Sequence, residues 1–265
     1  NMVPPHAHAL VRVDADAVRA AFCRLGLPEA EFDVEPDDGL TRVTAHGIAA
    51  HAAAPQNGKS AIHLLASALA ESELLSGGSQ AAMDAIACMT GDFYGANAGI
   101  DCEDPETGKT TMVVGLISME GGRIRLTVDC RLSIATDLAA GRAAFEGYAR
   151  EKGCAVESLR LKTPFYIPKD DPRILALQRV YKEVTGRDDE PYTTGGGTYS
   201  RELQNAVTFG PGFPDAERPA FLPEGHGRAH EPDAAQSMPE MKVMLKLYAL
   251  ALLALDEATE GGNNP

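Results

Sequence analysis

His46-Gly47-Ile48-Ala49-Ala50-His51-Ala52-Ala53-Ala54-Pro55, running on to Gly58 and Ala61, is the densest local signal in the chain. Small residues flank His51 on both sides and leave room for a group to approach its imidazole, while Pro55 and Gly58 prepare a helix start. Two readings stay open for His51: a strand-end histidine satisfied by backbone groups, or a histidine that meets a ligand. His46 and His63 take the first. Upstream, residues 40–48 read as a strand that delivers the motif, and residues 31–34 as its hairpin partner across the turn-forming Glu35-Pro36-Asp37-Asp38-Gly39. Before them, residues 7–13 alternate as a strand, and Asp14 caps a helix that buries Val18, Ala21, Phe22 and Leu25 and stops at Gly26. Downstream, Ala61, Ile62, Leu65, Ala68 and Leu69 share one helix face, and residues 79–89 form another helix.

The pattern continues with strands at 110–120 and 123–132, joined by Gly121-Gly122, whose freedom to take positive φ suits a tight hairpin. Residues 138–152 predict a helix ended by Gly153, and residues 155–161 a strand. Mixed strands and helices up to Pro164 predict an α+β domain over residues 1–164. The joint containing Pro164, Pro168, Lys169, Asp170, Asp171 and Pro172 marks the boundary, and a second segment covers residues 165–265. Its expected elements are a helix from Pro172 to Gly186, a short buried strand at 206–209 and a long terminal helix at 238–255. The apolar faces of that segment call for a larger sheet to pack on.

Bulk composition excludes several classes of function. The 265 residues are long enough for real hydrophobic cores, and the five cysteines (Cys23, Cys88, Cys102, Cys130, Cys154) are scattered and odd in number, as reduced thiols would be. A net charge of −14 without a basic stripe repels phosphate backbones and anionic membranes, so neither nucleic acid nor a membrane is an expected partner. The longest apolar stretch, residues 247–255, is too short to span a bilayer. No leader pattern opens the chain, and a cytoplasmic location is the expectation.

Three further signals could carry chemistry. Thr193-Thr194-Gly195-Gly196-Gly197-Thr198-Tyr199-Ser200-Arg201 is either a plain glycine turn or a loop whose N–H groups meet an anion or carbonyl oxygen; it fits neither nucleotide-binding glycine pattern. Arg131, ending an apolar strand, either clamps a carboxylate or forms a salt bridge to Asp129 or Asp137. His226-Gly227-Arg228-Ala229-His230-Glu231-Pro232-Asp233 offers a loop histidine suited to zinc, which needs three or four ligands. No H-E-x-x-H, H-x-D or Glu-Glu pair accompanies it; His226 reads as a solvated loop residue, and His6 and His8 resemble no ligand pattern.

Together these blocks resemble, in order, the zinc metallopeptidase family of peptidase V-like dipeptidases, carnosinases and aminoacylases. G-I-A-A-H-A-A-A-P-x-x-G-x-x-A is similar to the lid-domain histidine motif; T-G-G-G-T-Y-S-R, A-V-T-F-G-P-G-F-P and A-H-E-P-D are similar to the C-terminal part of the catalytic domain. Asn1-Met2-Val3-Pro4, Gly99 to Gly108 and Gly115-Leu116-Ile117 resemble peptidase V-like dipeptidases in particular. The resemblance implies an α+β lid domain with a mixed or antiparallel sheet and ferredoxin-like elements, followed by a C-terminal α/β segment of an incomplete metallopeptidase catalytic domain.

It also implies roles. His51 matches the lid histidine that hydrogen-bonds the tetrahedral oxyanion, and His230 the last metal ligand. Arg131 stands where an arginine grips the dipeptide carboxylate, Asn1 where an asparagine assists, and Gly195, Gly196, Gly197 and Thr198 would line the substrate backbone. Ala234 stands where the family has Glu. Two zinc ions are expected in the parent enzyme, but the H-x-D pair, the bridging Asp and the Glu-Glu motif would precede Asn1. The chain is therefore expected to be a fragment, inactive by itself, of a monomeric dipeptidase that hydrolyses unblocked dipeptides, with a homodimer the other assembly. The alternatives are an N-acyl amino acid deacylase and a non-catalytic interaction or dimerisation module.

Overall fold

A computed structural model describes residues 1–210, 212–213, 219–223, 226–227 and 233–260. The chain divides into two compact units, Asn1–Pro164 with Thr194–Gly196, and Phe165–Thr193 with Gly197–Pro265.

The first unit is a mixed α/β structure with antiparallel pairing throughout its described strands. In chain order it contains β1 (Met2–Val3), β2 (His6–Val11), α1 (Ala15–Arg24), β3 (Phe32–Asp37), β4 (Leu40–His46), β5 (Ala50–His51), α2 (Ala61–Glu71), α3 (Gly77–Thr90), β6 (Glu103–Asp104), β7 (Gly108–Lys109), β8 (Thr111–Glu120), β9 (Arg123–Arg131) and α4 (Leu138–Glu151). The main sheet has the order β2-β4-β3, and three two-stranded ladders, β1-β5, β6-β7 and β8-β9, accompany it. Its core follows from the period of two along the strands. Ala7 and Val11 of β2 and Val43 and Ala45 of β4 point inward. They meet Val18 and Phe22 of α1, Ile62, Leu65 and Leu69 of α2, Ile86 of α3 and Val114 of β8. Each Val, Leu, Ile or Phe side chain that is fully buried in this way contributes about 1.5–3 kcal/mol. Asp14 caps α1 as expected, accepting from the N–H groups of Asp16 and Ala17.

Both expected hairpins form. Gly121 and Gly122 turn the β8–β9 hairpin at φ +57° and +77°, and Gly115 is the extra residue of a bulge between Val114 and Leu116. The other turn is tighter than expected. Only Asp38 (φ 46°) and Gly39 (φ 78°) lie outside the ladder, because β3 runs on through Pro36, which pairs opposite Thr41. A proline is tolerated there because β3 is an edge strand and no outer neighbour needs its missing N–H. A third expectation fails: residues 155–161 form no strand. They are nearly all exposed, and no ladder partner satisfies their backbone.

The second unit holds α5 (Pro172–Thr185) and α6 (Met238–Glu260). Ala176 and Val180 of α5 pack against Leu247 and Ala254 of α6, with Phe209 at the margin. The strand expected at 206–209 is absent, so among the described residues this unit is helical rather than α/β. Phe209 anchors the segment by its ring, 6.2 Å edge-on from Tyr248, instead of by a ladder. No described helix is long and apolar enough to cross a membrane.

Candidate functional site

The geometry around His51 starts with two glycines. A Cβ on Gly47 would overlap the carbonyl oxygen of Lys59, and one on Gly58 would sit 2.8 Å from both the Ile48 carbonyl oxygen and the Ala50 Cβ. Their absence lets residues 47–50 fold onto 58–59, where Ile48 and Lys59 exchange N–H···O bonds of 2.9 Å each way. The returning chain forms β5, whose His51 pairs opposite Met2 and whose Ala50 pairs opposite Val3 of β1. Ala52 is completely buried. Its N–H donates to the Asn1 carbonyl at 3.0 Å, and its carbonyl accepts from the Thr111 hydroxyl at 2.8 Å. The backbone on both sides of His51 is thus fixed while the ring itself is exposed. Its Nδ1 accepts the Ala53 N–H at 3.3 Å, which leaves the proton of the neutral ring on Nε2. In this tautomer the donor atom of the His51 ring is Nε2.

Arg131 ends β9 opposite Thr111, the same residue whose hydroxyl holds Ala52. Its Nε donates to Asp129 Oδ1 at 3.0 Å and its Nη2 to Asp129 Oδ2 at 3.4 Å, a two-point grip between residues i and i+2 on one strand face. The remaining nitrogen, Nη1, donates to the Gly195 carbonyl. The salt bridge to Asp129 expected from sequence therefore forms, and it leaves donors of the five-proton guanidinium for another acceptor. Gly195 lies between the two motifs. A Cβ built on it would fall 2.5 Å from the Ala53 Cβ and 3.3 Å from Arg131 Cδ. This contact joins the His51 segment, Arg131 and the glycine loop, and sequence spacing alone could not reveal it. The one available signal was the run of alanines beside a distant run of glycines.

Asn1 belongs to the same group through its carbonyl, and its backbone nitrogen lies 3.8 Å from Asp129 Oδ2 while its side chain is exposed. Gly196 donates its N–H to Thr194 Oγ1 at 3.2 Å. Gly197 and Thr198 fall in the second unit, where Thr198 Oγ1 lies 2.6 Å from Ser200 Oγ and 3.0 Å from Thr208 Oγ1. His230, the candidate metal ligand, lies outside the described residues. Its neighbour His226 pairs through Nδ1 with Asp233 Oδ2 at 2.8 Å. Among the described residues no group of three or more His, Cys, Asp and Glu side chains could hold a metal ion. The described side chains do not by themselves supply the three or four protein ligands of a peptidase zinc centre.

Of the other histidines, His63 sits between α2 and α3 with Nδ1 3.1 Å from Thr90 Oγ1, and burial pulls its pKa down. That is the satisfied histidine expected from sequence.

Comparison with known proteins gives a consistent picture. Residues 41–154 match the peptidase dimerisation domain family of the M20 type. Over 258 residues the chain is 28% identical to "Putative dipeptidase YtjP" of Bacillus subtilis, covering 96% of this chain and 53% of that protein. Over 223 residues it is 30% identical to "Putative dipeptidase SSP1012" of Staphylococcus saprophyticus, covering 82% of this chain and 47% of that protein. A Staphylococcus aureus protein with the same kind of name is 28% identical over 221 residues, 82% of this chain and 47% of that protein. The chain spans about half the length of these curated relatives.

Proposed function

Since the chain belongs to the zinc metallopeptidase family of peptidase V-like dipeptidases, carnosinases and aminoacylases, we propose that it supplies the substrate-gripping part of an enzyme that hydrolyses unblocked dipeptides. The observation that carries this reading is the meeting of Ala53, two residues beyond His51, with Arg131 and Gly195 within one compact unit. In the proposed complex the Nε2–H of His51 donates to the oxygen that becomes anionic when the peptide carbonyl is attacked. Such a donor is worth most in the transition state. Arg131, held by Asp129, directs its remaining N–H groups to the C-terminal carboxylate, and Asn1 assists. Gly195 and Gly196 admit the substrate backbone closely, and the same role is proposed separately for Gly197 and Thr198.

Zinc is assigned to the longer enzyme by family membership, with His230 as the one ligand from this chain. The described residues provide no ligand set from which a metal step could be derived. The names of the relatives favour a dipeptidase over an N-acyl amino acid deacylase. The match to a dimerisation domain favours pairing of two copies over the monomer expected from sequence. Sedimentation across a concentration series separates those assemblies.

The test uses this chain within a protein of its relatives' length, supplied with zinc or cobalt. Unblocked dipeptides should be cleaved, and His51→Ala should lower kcat by about a hundredfold to a thousandfold with little change in KM. Unaltered kcat in His51→Ala, or cleavage of N-acyl amino acids but not dipeptides, would overturn the reading.

A further inference from the structure

His6 and His46 are directly opposed partners on β2 and β4. Opposed residues project to the same side of a sheet. Here that side is the outer one, since the alternate positions Ala7 and Ala45 are buried. The strand ends are held in register next to the pair by the Gly47 N–H, which donates to the Pro5 carbonyl at 2.7 Å. The two Nδ1 atoms face each other at 3.4 Å, and the Nε2 of His46 lies 2.6 Å from Asp33 Oδ2 on β3.

A carboxylate at Nε2 keeps the ring proton of His46 there, so its Nδ1 presents a lone pair toward His6. His6 is exposed and can carry its own proton on Nε2, toward water, which turns a second lone pair into the gap. Two imidazole nitrogens bound to one tetrahedral ion at about 2.0–2.1 Å lie about 3.3–3.4 Å apart, which is the separation already present. Asp33 then stands where a carboxylate stands behind a metal-bound histidine, fixing its tautomer and ring orientation.

We propose that His6 and His46 form a two-imidazole chelate for a borderline divalent cation such as zinc, bridging β2 to β4, with Asp33 orienting His46. No third described side chain joins them as a ligand, so water completes the coordination. Hard cations such as magnesium and calcium, which prefer oxygen donors, do not suit this pair of nitrogen ligands. The proposal is independent of the peptidase reading.

Zinc titration of the chain, followed by the ring signals of its histidines in NMR spectra, tests it. The His6 and His46 signals should shift together and saturate together. In His6→Ala and in His46→Gln that event should weaken at least tenfold, with circular dichroism confirming an unchanged fold. Asp33→Asn should weaken it about tenfold to a hundredfold, and His8→Ala should leave it intact. Retention of the same titration in either histidine variant would overturn the chelate, leaving a hydrogen-bonded His-His-Asp row. So would His6 and His46 signals that do not move while other histidines bind.

Discussion

Gly195 has no room for a side chain, because Ala53 lies on one side of it and the aliphatic stem of Arg131 on the other. A Cβ–Cβ separation of 2.5 Å cannot be absorbed by rotating a flexible end, so Gly195→Ala must displace either the His51 segment or the arginine. The expected outcome in the relative-length enzyme is a fall in kcat/KM of about tenfold or more with little change in melting temperature. Ala53→Gly should recover part of that loss when combined with it, because the two substitutions share one contact. Additive losses in the double-variant cycle would show that the contact does not shape the site. At this scale the sequence was informative about residue types and silent about neighbours. The small residues around His51 and the three glycines were visible as signals, but their meeting depends on a fold-back between residues 142 positions apart, Ala53 and Gly195. Asp129 and Arg131 were easier, since residues i and i+2 on a strand always share a face.

Among the elements, the helices and hairpins were legible because caps and turn residues are local. Asp171 is such a cap. Its carboxylate accepts from the Arg173 N–H at 2.9 Å and pairs with the Arg173 guanidinium, and that guanidinium hydrogen bond, ahead of the backbone one, holds its pKa down to about 2. A depressed carboxylate pKa means that the folded state binds fewer protons than the unfolded one. The stabilisation is therefore complete above the ordinary value of 3.8 and is lost as pH falls from there toward about 2. Asp171→Ala should destabilise the second unit by about 1 kcal/mol at neutral pH. In urea unfolding the difference between variant and parent should shrink toward zero near pH 2, whereas a constant difference would assign the effect to packing. Asp104 is held in the same direction. Burial pushes its carboxyl up, but the Ser133 and Thr107 hydroxyls and the N–H groups of Thr107 and Glu106 outweigh that and bring it far below the ordinary range. What local reasoning missed were elements defined by a distant partner. The two-residue strands β1 and β5 carry no pattern of their own, and residues 155–161 and 206–209 have strand-like composition without a ladder to join.

At the scale of the molecule, the proline- and aspartate-rich joint points to a boundary at Pro164, and the compact units of the structure are Asn1–Pro164 with Thr194–Gly196, and Phe165–Thr193 with Gly197–Pro265. The apolar load of α6 was also visible. Met238, Leu245, Leu252 and Leu253 remain more than 60% exposed, which marks surface suited to burial by more protein. Leu247, by contrast, is fully buried, and Leu247→Ala should cost about 2–5 kcal/mol in unfolding of the second unit. A loss below 1 kcal/mol would mean that α5 and α6 do not form a cooperative core. In the proposed function His51 of the first unit meets the scissile carbonyl oxygen and Arg131 takes the free carboxylate of the substrate. The most direct measurement is kcat/KM of the relative-length enzyme on an unblocked dipeptide and on its C-terminal amide, for the parent and for Arg131→Ala. The parent should prefer the free acid by about tenfold to a hundredfold, and Arg131→Ala should abolish the preference. Equal use of acid and amide by the parent, or a preference that survives loss of Arg131, would contradict this reading.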